Sequence, residues 1–600
     1  MIDYPTLNHR PVSREMLDVF KGYNRNLRIG EGEFRDMENL SSDCYPVLSV
    51  RKRRRLLDDT GNKGRQGKIT GIVWTDRWGL LYAQGENLYR MGIAAPFVKL
   101  GLDDQPKRFV FMGAYLVIWP DMKYINLEQT GDYGPLGHSV EVTSGEVKFQ
   151  LCKADGEVYG ATTVQDTQPE NPADGALWID TSGSPHVLKQ YSAAMERWAT
   201  IPTTYVKIDG LNHGKDGQWF SQYDGVTISG ITISEAAHLN GAAVLQSKSN
   251  SASIVIIGLL DKAVTQTCTA ESSIRVERRI PVMDYVVEAG NRLWGCRHGK
   301  DLDGNTVNEI YGSKLGDPKN WSCFMGIATD SWTASIGSQG DFTGAASIGG
   351  YPVFYKRDVR HKVWISDSGA HQIASLPCQG VKGNCGGSVA VMDGVAVYKS
   401  VSGFCMDDGS GPVEIGQCFA GVDYSNALGC VCGHKYYVSM VDEDDMRHLF
   451  VYDAQRKLWH REDNFPMECI WGNSGFVAAS DGVRILDISS GFVQEGRMEE
   501  PVRWMAETGE IGLDTPDRKY ISRLDLRLSM EVGAELTVYV QYDTEPEWVA
   551  LGSIRGTSLQ SFSLPLRLRR CDHLRLRFEG EGDIKIYSIT KTIMKGSDRR

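Results

Sequence analysis

The sequence predicts a mainly β chain: a β-propeller with an inserted pair of small β modules and a C-terminal antiparallel β-sandwich. Three observations predict it. Short runs of Val, Ile, Tyr, Phe and Trp bounded by Gly, Asp, Asn and Ser dominate the chain. A strand–turn–strand unit recurs at roughly 40-residue intervals, the period of a propeller blade. Strict apolar/polar alternation takes over in the last hundred residues.

The recurring unit has seven copies. They centre on Gly71–Arg90, Arg108–Ile125, Tyr285–Ser313, Ala345–Ile365, Ser388–Tyr398, Ala427–Asp453 and Trp471–Leu486. In most, one apolar strand turns through Gly, Asp or Asn into a second, and a third often follows. Radial repetition leaves few exposed strand edges, which keeps so much β sequence soluble. Ordinary hairpins in a sandwich are the alternative, and the spacing leaves six, seven or eight blades open.

The first division is 1–156, an N-terminal segment and the first blades, with one short helix expected over Arg14–Lys21. The repeat breaks over 157–280, where two small β modules are expected in succession. In the first, Gln168-Pro169-Glu170-Asn171-Pro172 and Gly175 set a turn, and Trp198 can fold back onto Trp178. The second contains Tyr223–Gly230 and Ser253–Gly258. Surface excursions of this kind cost little stability. Blades resume over 281–500. In 501–600, Leu524, Leu526 and Leu528 alternate with Arg523, Asp525 and Arg527, as do Leu574, Leu576 and Phe578 with Arg575 and Arg577. One apolar face per strand is the pattern of a sandwich.

Composition narrows the function classes. The formal charge of −11 argues against general nucleic-acid coating. No apolar run reaches the length of a membrane-spanning helix, and no signal peptide opens the chain. The 13 cysteines show no CxxC spacing, so free, mostly buried thiols made in a reducing cytosol are expected.

Candidate chemistry is sparse. Arg51-Lys52-Arg53-Arg54-Arg55 is the sharpest charge cluster and can meet DNA phosphates or an acidic partner. Trp178, Tyr191 and Trp198 can stack a glycan or a partner, or form the module's own core. Asp301-Leu302-Asp303-Gly304-Asn305 opens like a calcium loop, but Gly312 occupies the place of its twelfth-position glutamate. A plain polar loop is the expectation there, and a solvated hairpin tip at Asp442-Glu443-Asp444-Asp445. No nucleophile elbow, phosphate loop or metal-binding histidine spacing occurs. The chain is therefore expected to be no enzyme and to need no cofactor.

Several segments resemble proteins of tailed bacteriophages. The Trp178/Trp198 pattern is similar to small modules in tail and tail-fibre proteins. Asp36–Ser49, running into Arg51, resembles the N-terminal segment of phage stabilisation or tail-hub proteins. Asn308-Glu309-Ile310-Tyr311-Gly312-Ser313-Lys314-Leu315-Gly316-Asp317-Pro318-Lys319-Asn320-Trp321 resembles the propeller strand of short-tailed phage nozzle proteins, where a strand ends in Ser-x-x-Gly-Asp-Pro. Arg569–Arg577 and Ile586–Ile589 resemble their closing sandwich strands. The resemblance implies a structural virion protein assembled in the host cytoplasm. It implies a ring, most often hexameric, below the portal and adaptor, passing DNA without reading its sequence or inserting in membrane. Two further readings are a glycan-binding adhesin, motivated by the Trp-bearing insertion, and a propeller enzyme acting on polysaccharide.

Overall fold

The computed structural model describes residues 12–61, 64–212, 219–247, 252–366, 369–489, 497–513, 518–556, 558–565 and 569–595. Among them the chain is mainly β, of the β-propeller class. Single-turn 3-10 segments interrupt the strands at Ala237–Leu239, Gly386–Ser388 and Gln417–Phe419. No helix of the described residues is long and apolar enough to cross a membrane. All 13 cysteines are free.

Each of the seven repeat copies is one sheet. Six are four-stranded meanders in sequence order. Blade 1 runs Ile69–Thr75, Gly79–Gln84, Asn87–Arg90 and Pro96–Lys99. Blade 2 spans Arg108–Met112 to Tyr133–Pro135, blade 3 Tyr285–Glu288 to Trp332–Ser335, and blade 4 Phe342–Ile348 to His371–Pro377. Blade 5 spans Ala390–Met392 to Pro412–Glu414 and blade 6 Ser425–Cys432 to Leu458–Arg461. The turns explain the punctuation: Asp393 and Gly394 both take positive φ (51° and 82°), and so do Gly349 and Gly350 (59° and 79°). Two left-handed residues in a two-residue loop match the right-handed twist of the strands they join.

Blade 7 is assembled from both parts of the sequence. Cys469–Gly472, Val477–Ser480 and Arg484–Asp487 form three strands. The fourth is Arg55–Asp59, whose Asp58 and Asp59 lie opposite Ile485 and Arg484, and Arg497–Met498 adds an outer strand.

The chain divides into two compact units, Met1–Lys107 with Thr343–Lys362 and Ala374–Arg600, and Arg108–Phe342 with Val363–Ile373. In the first, Ile69, Ile72 and Tyr82 of blade 1 pack on Phe476, Ala478 and Ile485 of blade 7. Leu449 and Val451 of blade 6 pack on Val477 and Ala479 of blade 7. Blade 5 and blade 6 share a core with the sandwich, including Tyr398, Tyr436, Phe450, Leu526 and Val538.

One sandwich sheet holds Lys519–Met530, Gln560–Pro565 and Ile584–Lys595; the other holds Arg503–Thr508, Glu535–Tyr542, Val549–Arg555 and Leu574–Glu581. The alternating residues behave as expected: Leu524, Leu526, Leu528, Leu574, Leu576 and Phe578 are all buried. The N-terminal segment joins these sheets, whereas the sequence placed it with the first blades. Leu40–Ser41 and Leu48–Val50 extend one sheet, and Gly22–Tyr23 and Glu33–Glu38 the other. The helix expected over Arg14–Lys21 is a strand, Val12–Leu17, paired with Ile589–Met594. A long neighbouring strand offered backbone partners along its whole length, which outweighs weak local helix preference.

In the second unit, Met112, Val117 and Trp119 of blade 2 pack on Met283, Val286 and Leu293 of blade 3 and its approach. The insertion begins at strand His138–Val142, before Glu157, and its two modules are nested and not consecutive. The larger is an eight-stranded sheet over His138–Arg278 with Phe149, Ile208, Val226, Ile254 and Val276 in its core. The Trp module, Thr162–Gln165, Leu177–Asp180, Val187–Ser192 and Arg197–Thr200, leaves it after Gly145–Cys152 and returns at Tyr205–Asp209.

Candidate contact surface

The segment Ser313–Trp321, singled out for its Ser-x-x-Gly-Asp-Pro pattern, starts the loop that joins the last two strands of blade 3. Each of its residues has a fastening role. Ser313 extends the ladder, donating its N–H to the Leu293 carbonyl (2.8 Å) and accepting the Leu293 N–H at Oγ (3.0 Å). Gly316 takes φ +76° and donates to the Asn291 carbonyl. Asp317 accepts the Lys319 N–H (2.9 Å), and the Pro318 carbonyl accepts the Trp321 indole N–H (2.9 Å). Trp321 is buried in the core shared by blades 2 and 3. Asn320 fastens the insertion to the blade: Oδ1 accepts the Gly225 N–H (3.1 Å) and Nδ2 donates to the Tyr223 carbonyl (2.7 Å). A Cβ at Gly225 would lie 2.1 Å from the Ser322 carbonyl, so only glycine permits this approach.

The rest of the loop is held from within by two buried charges. Arg292 donates to the carbonyls of Ser313 (2.7 Å), Ala328 (2.6 Å) and Asp330. Burial pulls its pKa below the usual arginine value, and the Asp330 carboxylate offsets only part of this. Asp330 Oδ2 in turn accepts the successive N–H groups of Met325, Gly326 (2.7 Å) and Ile327 (3.2 Å). With its backbone so committed, the loop turns apolar side chains outward: Leu315, Phe324 and Ile327 are 41%, 57% and 53% exposed, and Tyr223 beside them 38%. Exposed apolar side chains on a fixed backbone make this loop a candidate contact surface. Sequence reasoning found its base and missed its face. The available signal was Phe324-Met325-Gly326-Ile327, apolar residues without strand alternation.

For two of its five residues the basic cluster is corrected by burial. Arg51 and Arg54 are each 3% exposed, in no position to meet DNA phosphates. Arg51 makes a bidentate pair with Glu499 (2.8 and 3.0 Å) and donates from Nε to Asn39 Oδ1 (2.6 Å). Arg54 makes a bidentate pair with Asp463 (both 2.8 Å) and reaches Glu462 (3.0 Å). Burial opposes the Arg54 charge, but Asp463 and Glu462 outweigh it and hold its pKa above the usual value. Arg53 pairs with Glu531 (2.9 Å), Lys52 is exposed, and Arg55 opens the strand that completes blade 7.

In the Trp module, Trp178 and Trp198 meet edge to face at 5.4 Å, and Tyr191 lies 5.4 Å from Trp198. Trp178 is 5% exposed and donates to the Gln165 carbonyl (3.0 Å). It belongs to the module's core, while Tyr191 and Trp198 are part-exposed. The loop at Asp301 is a plain turn: Asp301 Oδ1 accepts the Asp303 and Asn305 N–H groups, and Asp303 pairs with Arg279. Asp442–Asp445 is a hairpin tip, with Asp442 bonded to His448 (2.7 Å). Among the described residues no group of three or more His, Cys, Asp or Glu is placed to hold a metal ion.

Neither a protein-family model nor a curated protein matches the chain. Solved structures similar to it include an exo-β-1,3-galactanase from Phanerochaete chrysosporium, 10% identical with TM-score 0.20, over 50% of this chain and 95% of that one. A glycoside hydrolase family 43 arabinoxylan arabinofuranohydrolase from Bacillus subtilis is 9% identical with TM-score 0.15, over 69% and 93%. The Trypanosoma rangeli sialidase is 10% identical with TM-score 0.15, over 69% and 86%. At these scores the likenesses assign no activity to this chain. The chain was expected to be no enzyme; that expectation is corrected, since carbohydrate-active enzymes stand among the structures it is similar to.

Proposed function

We propose that the chain is a structural subunit of a tailed-bacteriophage virion, a tail nozzle or hub protein that assembles into a ring around the DNA exit channel. One observation carries the reading. The segment that resembles nozzle proteins, Asn308–Trp321, is the base of a loop whose backbone is pinned by Arg292 and Asp330 and whose apolar side chains face outward. A closed ring needs a heterologous, self-repeating contact. A preorganised loop supplies one half of such a contact without an ordering cost at association. Arg51 and Arg54 take no part in DNA passage in this reading, because they are spent inside the fold.

The test is assembly. Purified protein should form particles with a central hole in electron micrographs. Phe324→Asp combined with Ile327→Asp should return it to monomers of unchanged melting temperature. Monomers at high concentration, together with absence of the chain from virions by mass spectrometry, would refute the proposal.

A further inference from the structure

The strand Val12–Leu17 is attached to the sandwich but barely built into it. Five of its six residues are exposed, Val12 and Met16 by 55% and 62%. Among the described residues it pairs on one side only, with Ile589–Met594. The sandwich core takes from it only the partly buried Leu17. By contrast Gly22–Tyr23, Leu40–Ser41 and Leu48–Val50, which join the same two sheets, are buried throughout. All of these residues belong to the first unit.

The seat of the strand has three parts. The first is the backbone edge of Ile589–Met594. The second is a pair of ion pairs, Arg14 with Asp525 (3.0 Å) and Glu15 with Lys591 (3.1 Å). Arg14 and Glu15 are exposed, and pairs of this kind contribute little. Lys591 also reaches Glu31, so it keeps a carboxylate when Glu15 leaves. The third part is an apolar socket. Leu17, Ile29, Ile511, Leu524, Leu576 and Ile589 border a cavity of about 40 Å³. A side chain beside such a gap loses contacts on that side. The strand ends in a short hinge. Asp18 is exposed and Val19 half-buried, and the chain is fixed again at the buried Phe20, whose N–H donates to the Pro46 carbonyl (3.1 Å).

We propose that Val12–Leu17 is an exchange arm, which in the assembled protein leaves its own seat and takes the identical seat on a neighbouring copy. The seat matches this strand in register, charge and socket, so the occupant it selects is the same strand of a second copy. The contacts are equal in either place, which makes exchange a low-cost route to assembly. The hinge from Leu17 to Phe20 spans about 10 Å when extended. Seats on adjacent copies must therefore lie close together, with this edge of the sandwich at the joint. When each chain gives one arm and receives another, a closed ring leaves no edge of Ile589–Met594 bare. The inference rests on the proposed assembly of identical chains and names one of its joints.

The experiment is disulfide trapping in the full chain. Met16 and Thr590 lie opposite each other in the ladder. The double variant Met16→Cys with Thr590→Cys, assembled at high concentration and mildly oxidised, should run on a non-reducing denaturing gel as dimers and higher multiples in place of the monomer band. Copies carrying Met16→Cys alone, co-expressed with copies carrying Thr590→Cys alone, should give a linked dimer, and neither single variant by itself should. Ser13→Cys with Ile593→Cys is a second pair across the same ladder. Linked chains in particles without a central hole would keep the exchange and refute the ring. Links confined to single chains within holed particles would overturn the exchange and leave the ring. Monomers carrying only internal links would overturn both, and no link in either pair would overturn the exchange.

Discussion

Arg54 and Arg292 are both buried arginines that pin a segment in place, and they do it in opposite ways. Arg54 is surrounded by carboxylates, Asp463 and Glu462, and its charge is more than compensated. Arg292 is surrounded by carbonyls, of Ser313, Ala328 and Asp330, and its charge is underpaid. The first arrangement locks chain segments far apart in sequence, with 409 positions between Arg54 and Asp463. The second shapes a single loop, with at most 38 positions between partners. A long-range lock needs strong, directional pairs because much chain entropy is lost to reach it. A local loop needs only that its carbonyls find donors.

Four measurements sharpen or break that contrast. The largest effect belongs to His460, beside the Arg51–Arg54 lock. Its folded pKa lies near 3, below the unfolded value of 6.5, so between these pH values the unfolded chain binds the extra proton. Stability is then full above pH 6.5 and falls with acidification toward pH 3. The difference between wild type and His460→Gln across that window is expected on the order of 5 kcal/mol, read from denaturant melts at each pH. Next, Arg54→Met leaves the buried Glu462 and Asp463 with only the longer contacts to Arg51 (3.8 and 3.5 Å) and should cost about 3–5 kcal/mol. If the cost is below about 1 kcal/mol, the lock contributes little and the contrast fails.

Arg292→Met strands three carbonyls and should cost about 2–3 kcal/mol. Hydrogen exchange at Met325–Ile327 should quicken while the amides of blade 6 are unchanged. The smallest effect on stability is expected from Phe324→Asp, within about 0.5 kcal/mol, with its consequence confined to assembly.

The repeat was legible because most copies carry a central strand that is a near-continuous apolar run, such as Tyr115–Trp119 or Lys435–Val441, next to a Gly- or Asp-bearing turn. The outer strands were not, because an edge strand such as Pro412–Glu414 is short and half exposed and has little pattern to show. The sandwich strands over 519–595 announced themselves by alternation, while their N-terminal partners, Leu40–Ser41 and Leu48–Val50, did so only through pairings that no local window contains. The basic cluster read as surface because burial of an arginine depends on its partners. For Arg51 the partner is Glu499, 448 positions away. Arg292 and Asp330 gave no signal, since a single charge in a loop looks the same whether it faces water or the backbone.

Blade 7 has a consequence for how the molecule is made. Its strand Arg55–Asp59 leaves the ribosome early, and the Thr60 amide finds its acceptor only at the Val483 carbonyl, 423 positions later. At about 5–20 residues per second, the early strand waits roughly 20–80 s for a partner. During that interval Arg51 and Arg54 also lack their carboxylates, so this nascent segment is a cationic, unpaired edge in need of shelter until the strands of blade 7 have been made.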